Sequence, residues 1–340
     1  MDILSEGIGE LVGWQDPDEH RAWVRENKSR ELRDKVTTVE DAVRRFVKDG
    51  DFIAFGGFGH IRVPMSLVYE IIRQGRQHLI MAGKTAVHDA DLLIASNCVD
   101  RIEVAYSFGH EIRGLSAAGR HAVETGRCRV VAEISNAGYQ WRFLAGMMGL
   151  PFIPSRNMLG TDTLHRSSCK VVRDPWSGKP VCLIPAAHPD VAMFHVPRCD
   201  RYGNAQVEGI IIEDFELARA ARRVIVTAEE IVDEDRIRAE PCRTVIPFYV
   251  VDAVCHVPFG AHPTQMPYLY FFDEEHIGEW LQVSRTDEGA EAYFERYVHG
   301  VPDFAGYLEE VGGEEKQRFL RQVEHFEAPM RAPWLKVKGG

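Results

Sequence analysis

The sequence lacks the segments that would place it in a membrane and the residue pairs typical of zinc or disulfide proteins. No apolar stretch reaches the roughly 18 residues of a membrane-spanning helix, and the first residues, Met1–Glu6, lack the basic start of a secretory signal. The seven cysteines are scattered and include no C-x-x-C pair, which disfavours a zinc knuckle or a dithiol redox motif. We therefore expect a cytoplasmic protein whose thiols are free and mostly buried.

Positive charge is also scarce. The 340 residues include 40 basic and 51 acidic side chains, which gives a net charge of −11. A chain with this excess of acid is a poor partner for nucleic acid or for an anionic membrane surface. The same field repels anionic substrates, so a site for one must be locally positive or must lie mainly on another chain.

Several common site motifs are incomplete. Gly83-Lys84-Thr85 resembles the end of a phosphate-binding loop, but His78 stands where that loop requires glycine. Gly57 and Gly59 begin a dinucleotide-binding pattern, yet Arg62 replaces its third glycine. The sequence contains no G-x-S-x-G elbow, and none of its fourteen histidines forms an H-E-x-x-H pair. We expect no metal site and no bound cofactor.

Short apolar runs alternate with amphipathic segments along most of the chain. The run Phe52-Ile53-Ala54-Phe55 is too short for a helix and predicts a buried parallel strand, and Pro64 then opens a helix. The alternation continues through residues 78–149, and further strands are predicted between residues 181 and 257. The pattern predicts an α/β fold with an open, mainly parallel, doubly wound sheet and helices on both of its faces.

The chain divides into a short extension and one large domain. Residues 1–36 predict a helical extension that packs on the main domain or on a partner. The α/β domain spans residues 37–340, and its C-terminal part is helical. Thr37 and Glu40 fit a capping box at the first helix of this domain. Residues 155–180 are rich in Gly, Ser, Asp and Pro and predict a long loop tied to function or assembly.

A glycine-rich turn, Gly56–Pro64, follows the first predicted strand of the domain. In open α/β sheets ligands bind at such turns, because backbone N–H groups and the positive end of the next helix face outward. The glycines alone could serve only a tight turn, but Arg62 adds a fixed cation beside it. We therefore treat Gly57, Phe58, Gly59 and Arg62 as candidate substrate-binding residues.

Six motifs in this order resemble the α subunits of family I CoA-transferases over about residues 37–310. The motifs are Gly56-Gly57-Phe58-Gly59 with Pro64, residues 149–154, Asp200-x-x-Gly203-Asn204, residues 226–231, residues 251–254 and residues 260–263. The glutaconate CoA-transferase branch is the most similar, since its glycine turn also carries an arginine two residues before the proline, as Arg62 does here.

The resemblance implies half of a heteromeric enzyme that acts on CoA thioesters without another cofactor. In the family, a glutamate of the β subunit forms a glutamyl-CoA thioester, and this chain lacks the Ser-Glu-Asn-Gly type motif that carries it. The expected assembly is α2β2 or α4β4. By resemblance, Gly57, Phe58 and Gly59 shape the acyl pocket, and Arg62 holds a carboxylate of the acyl group or of the acceptor acid.

Glu133 keeps a second function open. It lies at the end of the strand predicted over residues 129–134, near the position where a hydrolase branch of the family, resembling ring-cleaving enzymes of cholesterol breakdown, uses an α-chain glutamate as a base. A structural role at the next helix is equally compatible, with Ser135 and Asn136 as further candidate caps. A third alternative is an acyl-CoA sensor that retains the fold without the chemistry.

Overall fold

The computed structural model describes residues 2–330, which form two β-sheets and the helices packed on them. The strands are β1 (Ile3–Glu6), β2 (Phe52–Phe55), β3 (Leu79–Lys84), β4 (Val99–Ala105), β5 (Arg129–Glu133), β6 (Phe152–Ser155), β7 (Lys170–Arg173), β8 (Pro180–Pro185), β9 (Val191–Cys199), β10 (Ala205–Gln206), β11 (Arg223–Ile231), β12 (Thr244–Ile246) and β13 (Ala253–His256). The helices are α1 (Pro17–Asn27), α2 (Val39–Phe46), α3 (Met65–Arg73), α4 (His88–Ala95), α5 (Ala117–Glu124), α6 (Asn136–Met148), α7 (Asp162–Arg166), α8 (Asp214–Ala220), α9 (Glu234–Ala239), α10 (Glu274–Val283), α11 (Asp287–Phe294), α12 (Phe304–Glu310) and α13 (Gly313–Glu324).

The larger sheet is mainly parallel, as predicted. Its parallel strands follow the order β13-β11-β9-β2-β3-β4-β5. The short strands β10 and β12 extend it antiparallel beside the last residues of β9. The strand that the sequence predicts at Phe52–Phe55 is β2, and it lies in the middle of this order.

Both faces of the sheet are buried. Alternate residues of β2 point to opposite faces, so Ile53 and Phe55 join one apolar core while Phe52 and Ala54 join the other. Helices α3 and α4 and the C-terminal helices pack on the first face, and α6 and α8 pack on the second. Burial on both sides explains why β2 is apolar throughout instead of alternating with polar residues.

The strand order reverses at β2. From β2 the chain continues to β3, β4 and β5 on one side, and later returns to β9, β11 and β13 on the other. The carboxyl ends of β2 and β9 therefore border the crevice in which open α/β sheets bind ligands. This topology places the glycine turn that follows β2 at that crevice.

The structure corrects three local predictions. The extension is not only helical, because β1 pairs antiparallel with β7 in a second sheet of order β1-β7-β8-β6. The segment predicted as a loop contains α7 and β7, whose pairing partners are distant in sequence and thus invisible to local patterns. The capping residue of α2 is Thr38, whose hydroxyl accepts from the Asp41 amide at 3.1 Å, instead of Thr37 with Glu40.

The C-terminal region is helical, as the sequence predicts. The predicted helices at residues 291–297 and 314–323 correspond to α11, which continues into a π-helical turn at Glu295–His299, and to α13. The buried indole of Trp280 on α10 anchors this region to the core of the first face. Within residues 2–330, no helix has both the length and the apolar composition required to cross a membrane.

Candidate active site at the glycine turn

The glycine turn is a rigid two-residue hairpin at the end of β2. The amides and carbonyls of Phe58 and Ile61 exchange two hydrogen bonds of 2.9 Å, which leaves Gly59 and His60 at the tip. Gly57 has a φ of +88°, and a Cβ there would collide with the carbonyl oxygen of Ile61, so only glycine fits. Among the described residues, no hydrogen-bond acceptor faces the amides of Gly59 and His60. These two donors are available to a ligand.

Arg62 is held by the protein itself. Its side chain is only 1% exposed, and its two terminal nitrogens lie 2.9 and 2.8 Å from the carboxylate oxygens of Asp214. One of them also donates to the carbonyl of Ile210 at 2.6 Å, and within the described residues only Nε lacks a partner. Burial acts to raise the pKa of Asp214, but the attraction and hydrogen bonds of Arg62 outweigh it and lower that pKa. The ion pair fastens the glycine turn to the start of α8.

A second buried ion pair lies beside the first. Lys84 at the end of β3 contacts the carboxylate of Glu213 at 2.5 Å, and both side chains are almost fully buried. Burial raises the pKa of Glu213 to about 7, although the ammonium of Lys84 opposes this shift. Consecutive acids, Glu213 and Asp214, thus pair with the cations that follow β3 and β2. Sequence reasoning dismissed Lys84, although two adjacent acids before a helix were a signal that buried cations could have matched.

His60, which sequence reasoning missed, begins a buried chain of hydrogen bonds behind the turn. Its Nε2 lies 3.1 Å from Nδ1 of His110, and Nε2 of His110 lies 2.7 Å from Oδ2 of Asp91 on α4. The indole N–H of Trp280 donates to the same oxygen at 3.4 Å. All four side chains are buried. The signal in the sequence was a histidine inside the glycine turn itself.

Glu133 lies at the same edge of the sheet but apart from the turn. It ends β5, three strand positions from β2, which corresponds to roughly 14 Å. Its carboxylate is 31% exposed and accepts from Arg166 at 3.1 Å. The helix cap is Ser135, whose hydroxyl accepts from the Gly138 amide at 3.0 Å, so Glu133 does not cap α6.

Exposed apolar side chains flank the glycine turn on two sides. Tyr106, Ile112 and Leu115, in the segment after β4, are 62%, 72% and 60% exposed. Ile210 and Ile211, in the loop before α8, are also exposed, and the carbonyl of Ile210 contacts Arg62. Clustered apolar exposure of this kind marks interaction surfaces. Among residues 2–330, no group of three or more acidic, histidine or cysteine side chains is arranged to hold a metal ion.

Comparisons with known proteins agree with this geometry. Residues 36–256 match the family model described as Coenzyme A transferase. An uncharacterized protein of Archaeoglobus fulgidus is 59% identical over 98% of this chain and 75% of its own length. A 3-oxoadipate CoA-transferase subunit of Pseudomonas knackmussii is 34% identical over 82% of this chain and 98% of its own length.

The crystal structure of glutaconate coenzyme A-transferase from Acidaminococcus fermentans has a similar fold. It superposes with a TM-score of 0.80 and 30% identity over 84% of this chain and 95% of that chain. A more distant relative is the cholesterol ring-cleaving hydrolase IpdA subunit of Rhodococcus jostii, 27% identical over 80% of this chain and 94% of its own. From the family match, these relatives and the shared fold, the chain belongs to the family I coenzyme A transferases as an α-type subunit.

Proposed function

We propose that this chain forms the α half of an active site that moves CoA from an acyl-CoA to a carboxylic acid, with the nucleophile supplied by a β subunit. The observation that carries the proposal is the rigid glycine hairpin at the crevice, whose Gly59 and His60 amides have no partner among the described residues. Two relatives that are named as single subunits of CoA-transferases support the same division of labour.

The proposed chemistry proceeds through covalent exchange on the partner. A glutamate carboxylate attacks the thioester carbonyl and expels the CoA thiolate, giving an acyl-glutamyl anhydride. The thiolate then attacks the glutamyl carbonyl and releases the free acid, which leaves a glutamyl-CoA thioester for the acceptor acid to open in reverse. Each attack creates an oxyanion. In this proposal the free amides of Gly59 and His60 donate to such an oxyanion, while Gly57 and Phe58 shape the acyl pocket.

Trapping the intermediate tests the proposal. The reconstituted complex is incubated with an acyl-CoA, reduced with borohydride, and both chains are analysed by mass spectrometry. We expect a reduced glutamyl adduct on the β chain and none on this chain. An adduct on a carboxylate of this chain would contradict the proposed division of labour.

The acceptor acid or the acyl group could carry a second carboxylate. The substrates named for two relatives, 3-oxoadipate and glutaconate, are dicarboxylates, which supports this finer proposal. The route predicted from the sequence is through Arg62, and it requires a substrate carboxylate to displace Asp214 or to approach the unpaired Nε.

A hydrolase is the second candidate. In this alternative Glu133 is the base that removes a proton from water or from a ring carbon of the CoA ester. Its partly exposed carboxylate at the carboxyl end of β5 favours the alternative, as does the relationship to the ring-cleaving hydrolase.

Glu133→Gln separates the two candidates. The substitution preserves volume, so in the transferase we expect a fall in kcat of about tenfold or less. In the hydrolase, loss of the base would lower kcat by about 10²–10⁴-fold. The measurement is steady-state kinetics of the reconstituted complex, with thermal unfolding recorded in parallel.

Glu10→Gln is the matched control. Glu10 pairs with Arg129 at the opposite end of β5, at 2.8 Å and with similar exposure to solvent. This variant should leave kcat unchanged. If Glu133→Gln inactivates a stably folded complex that yields no β-chain adduct, the hydrolase assignment replaces the transferase.

A further inference from the structure

Behind the glycine turn, buried polar atoms gather without partners. Nδ1 of His60, both ring nitrogens of His88 and the hydroxyl of Thr85 make no hydrogen bond among the described residues, and neither does Oδ1 of Asp91. The rings of His60 and His88 are 6.5 Å apart. An unpaired buried polar atom costs about 1–3 kcal/mol, so such a concentration points to a ligand.

The hydrogen-bond chain fixes which kind of ligand fits. Indole N–H groups only donate, so Oδ2 of Asp91 accepts from Trp280, and it also accepts from Nε2 of His110. Nδ1 of neutral His110 is then an acceptor, and Nε2 of His60 donates to it. The remaining nitrogen of His60, Nδ1, therefore carries a lone pair. Burial, together with the nearby charge of His110 and Arg113, holds the pKa of His60 well below its usual range and keeps its ring neutral.

The surrounding charges disfavour an anion at this position. Arg62 and Lys84, the cations next to the turn, are each neutralised by a buried acid. The carboxylate of Glu111 lies 3.6 Å, and the methyl group of Thr85 3.7 Å, from where a Cβ on Gly59 would stand. Glycine at position 59 keeps the approach between these two groups free of a side chain. A neutral hydrogen-bond donor suits this environment.

We propose that Nδ1 of His60 accepts a hydrogen bond from a hydroxyl group on the acyl chain, so that the preferred thioester is a hydroxyacyl-CoA. The inference rests on the proposed function, because it assigns the acyl pocket to the glycine turn. Asp91 and His110 are positioning residues here, since they set the tautomer of His60 without touching the substrate. The inference concerns a neutral donor and is independent of any carboxylate at Arg62.

Matched thioesters test the inference in the reconstituted αβ complex. The probes are butyryl-CoA and its 2-, 3- and 4-hydroxy derivatives, with one common acceptor acid. We expect kcat/KM to favour one hydroxylated thioester over butyryl-CoA by about 10- to 100-fold, the worth of one buried hydrogen bond. His60→Gln keeps an amide donor toward His110 but loses the Nδ1 acceptor. It should reduce the preference to about threefold or less and change the rate with butyryl-CoA little.

His262→Gln is the control, because His262 is equally buried but lies in a separate network with Tyr307 and Asp273. It should leave the preference intact, whatever it does to stability. The inference is overturned if the wild-type complex favours no hydroxylated thioester, a test that needs no variant. It is also overturned if His60→Gln retains the preference, including when all rates fall together, because the donor would then be water. Absence of transfer from every thioester would instead contradict the proposed function.

Discussion

Purified without its partner, this chain is expected to transfer no CoA. The proposed nucleophile is absent from it, and removing a covalent nucleophile lowers turnover by on the order of 10⁴-fold or more. Co-expression with the β subunit should restore transfer, and the native mass of the complex should correspond to α2β2 or α4β4. The measurement is transfer of CoA from an acyl-CoA to a carboxylic acid, assayed at equal α-chain concentration with and without the partner.

The control replaces the glutamate of the β-chain motif by alanine in the same complex. This variant should assemble normally and remain inactive, which separates loss of the nucleophile from loss of assembly. Robust turnover by the pure single chain would contradict the two-subunit interpretation. The exposed apolar residues beside the turn, Tyr106, Ile112 and Leu115, should become protected from solvent exchange or labelling when the partner binds.

Arg62→Ala is expected to destabilise the chain strongly. The substitution leaves Asp214, which is fully buried, without its countercharge, and breaking a buried pair in this way costs about 3–5 kcal/mol. The free energy of unfolding, measured by denaturant titration, gives the result. Replacing both partners, as Arg62→Met with Asp214→Leu, should recover much of the loss because no unpaired charge remains.

Kinetics distinguish this structural role from the substrate role predicted by the sequence. If Arg62 binds a substrate carboxylate, Arg62→Ala should raise KM for a dicarboxylic acid by the equivalent of about 2–4 kcal/mol and spare a matched monocarboxylic acid. Arg44→Ala is the stability control, because Arg44 pairs with Glu40 on an exposed helix surface and exposed pairs contribute little. Unchanged stability with a selective rise in KM would contradict the structural role.

The resemblance to the CoA-transferases was available from the sequence because its signals are local. A four-residue apolar run must be a strand buried on both faces, and Gly57 must adopt a positive φ where a side chain would collide. The order of the strands and helices then selects a doubly wound sheet, whose carboxyl edge is the binding edge. These inferences led to the glycine turn before any contact was known.

Contacts between residues far apart in the chain could not be derived in the same way. Arg62 reads as a free cation in the sequence, but Asp214, 152 positions later, neutralises it. His60 reads as a turn residue until His110, 50 positions away, binds its ring and fixes its free nitrogen.

Local patterns along the chain were enough to establish the fold class, the family resemblance and the location of the glycine turn. Only the packing of distant segments established which charges at that turn are available to a substrate and which are already paired. The physical reason is that strand and turn formation follow from neighbouring residues, whereas the charge and protonation of a buried group depend on whatever side chain packs against it in space.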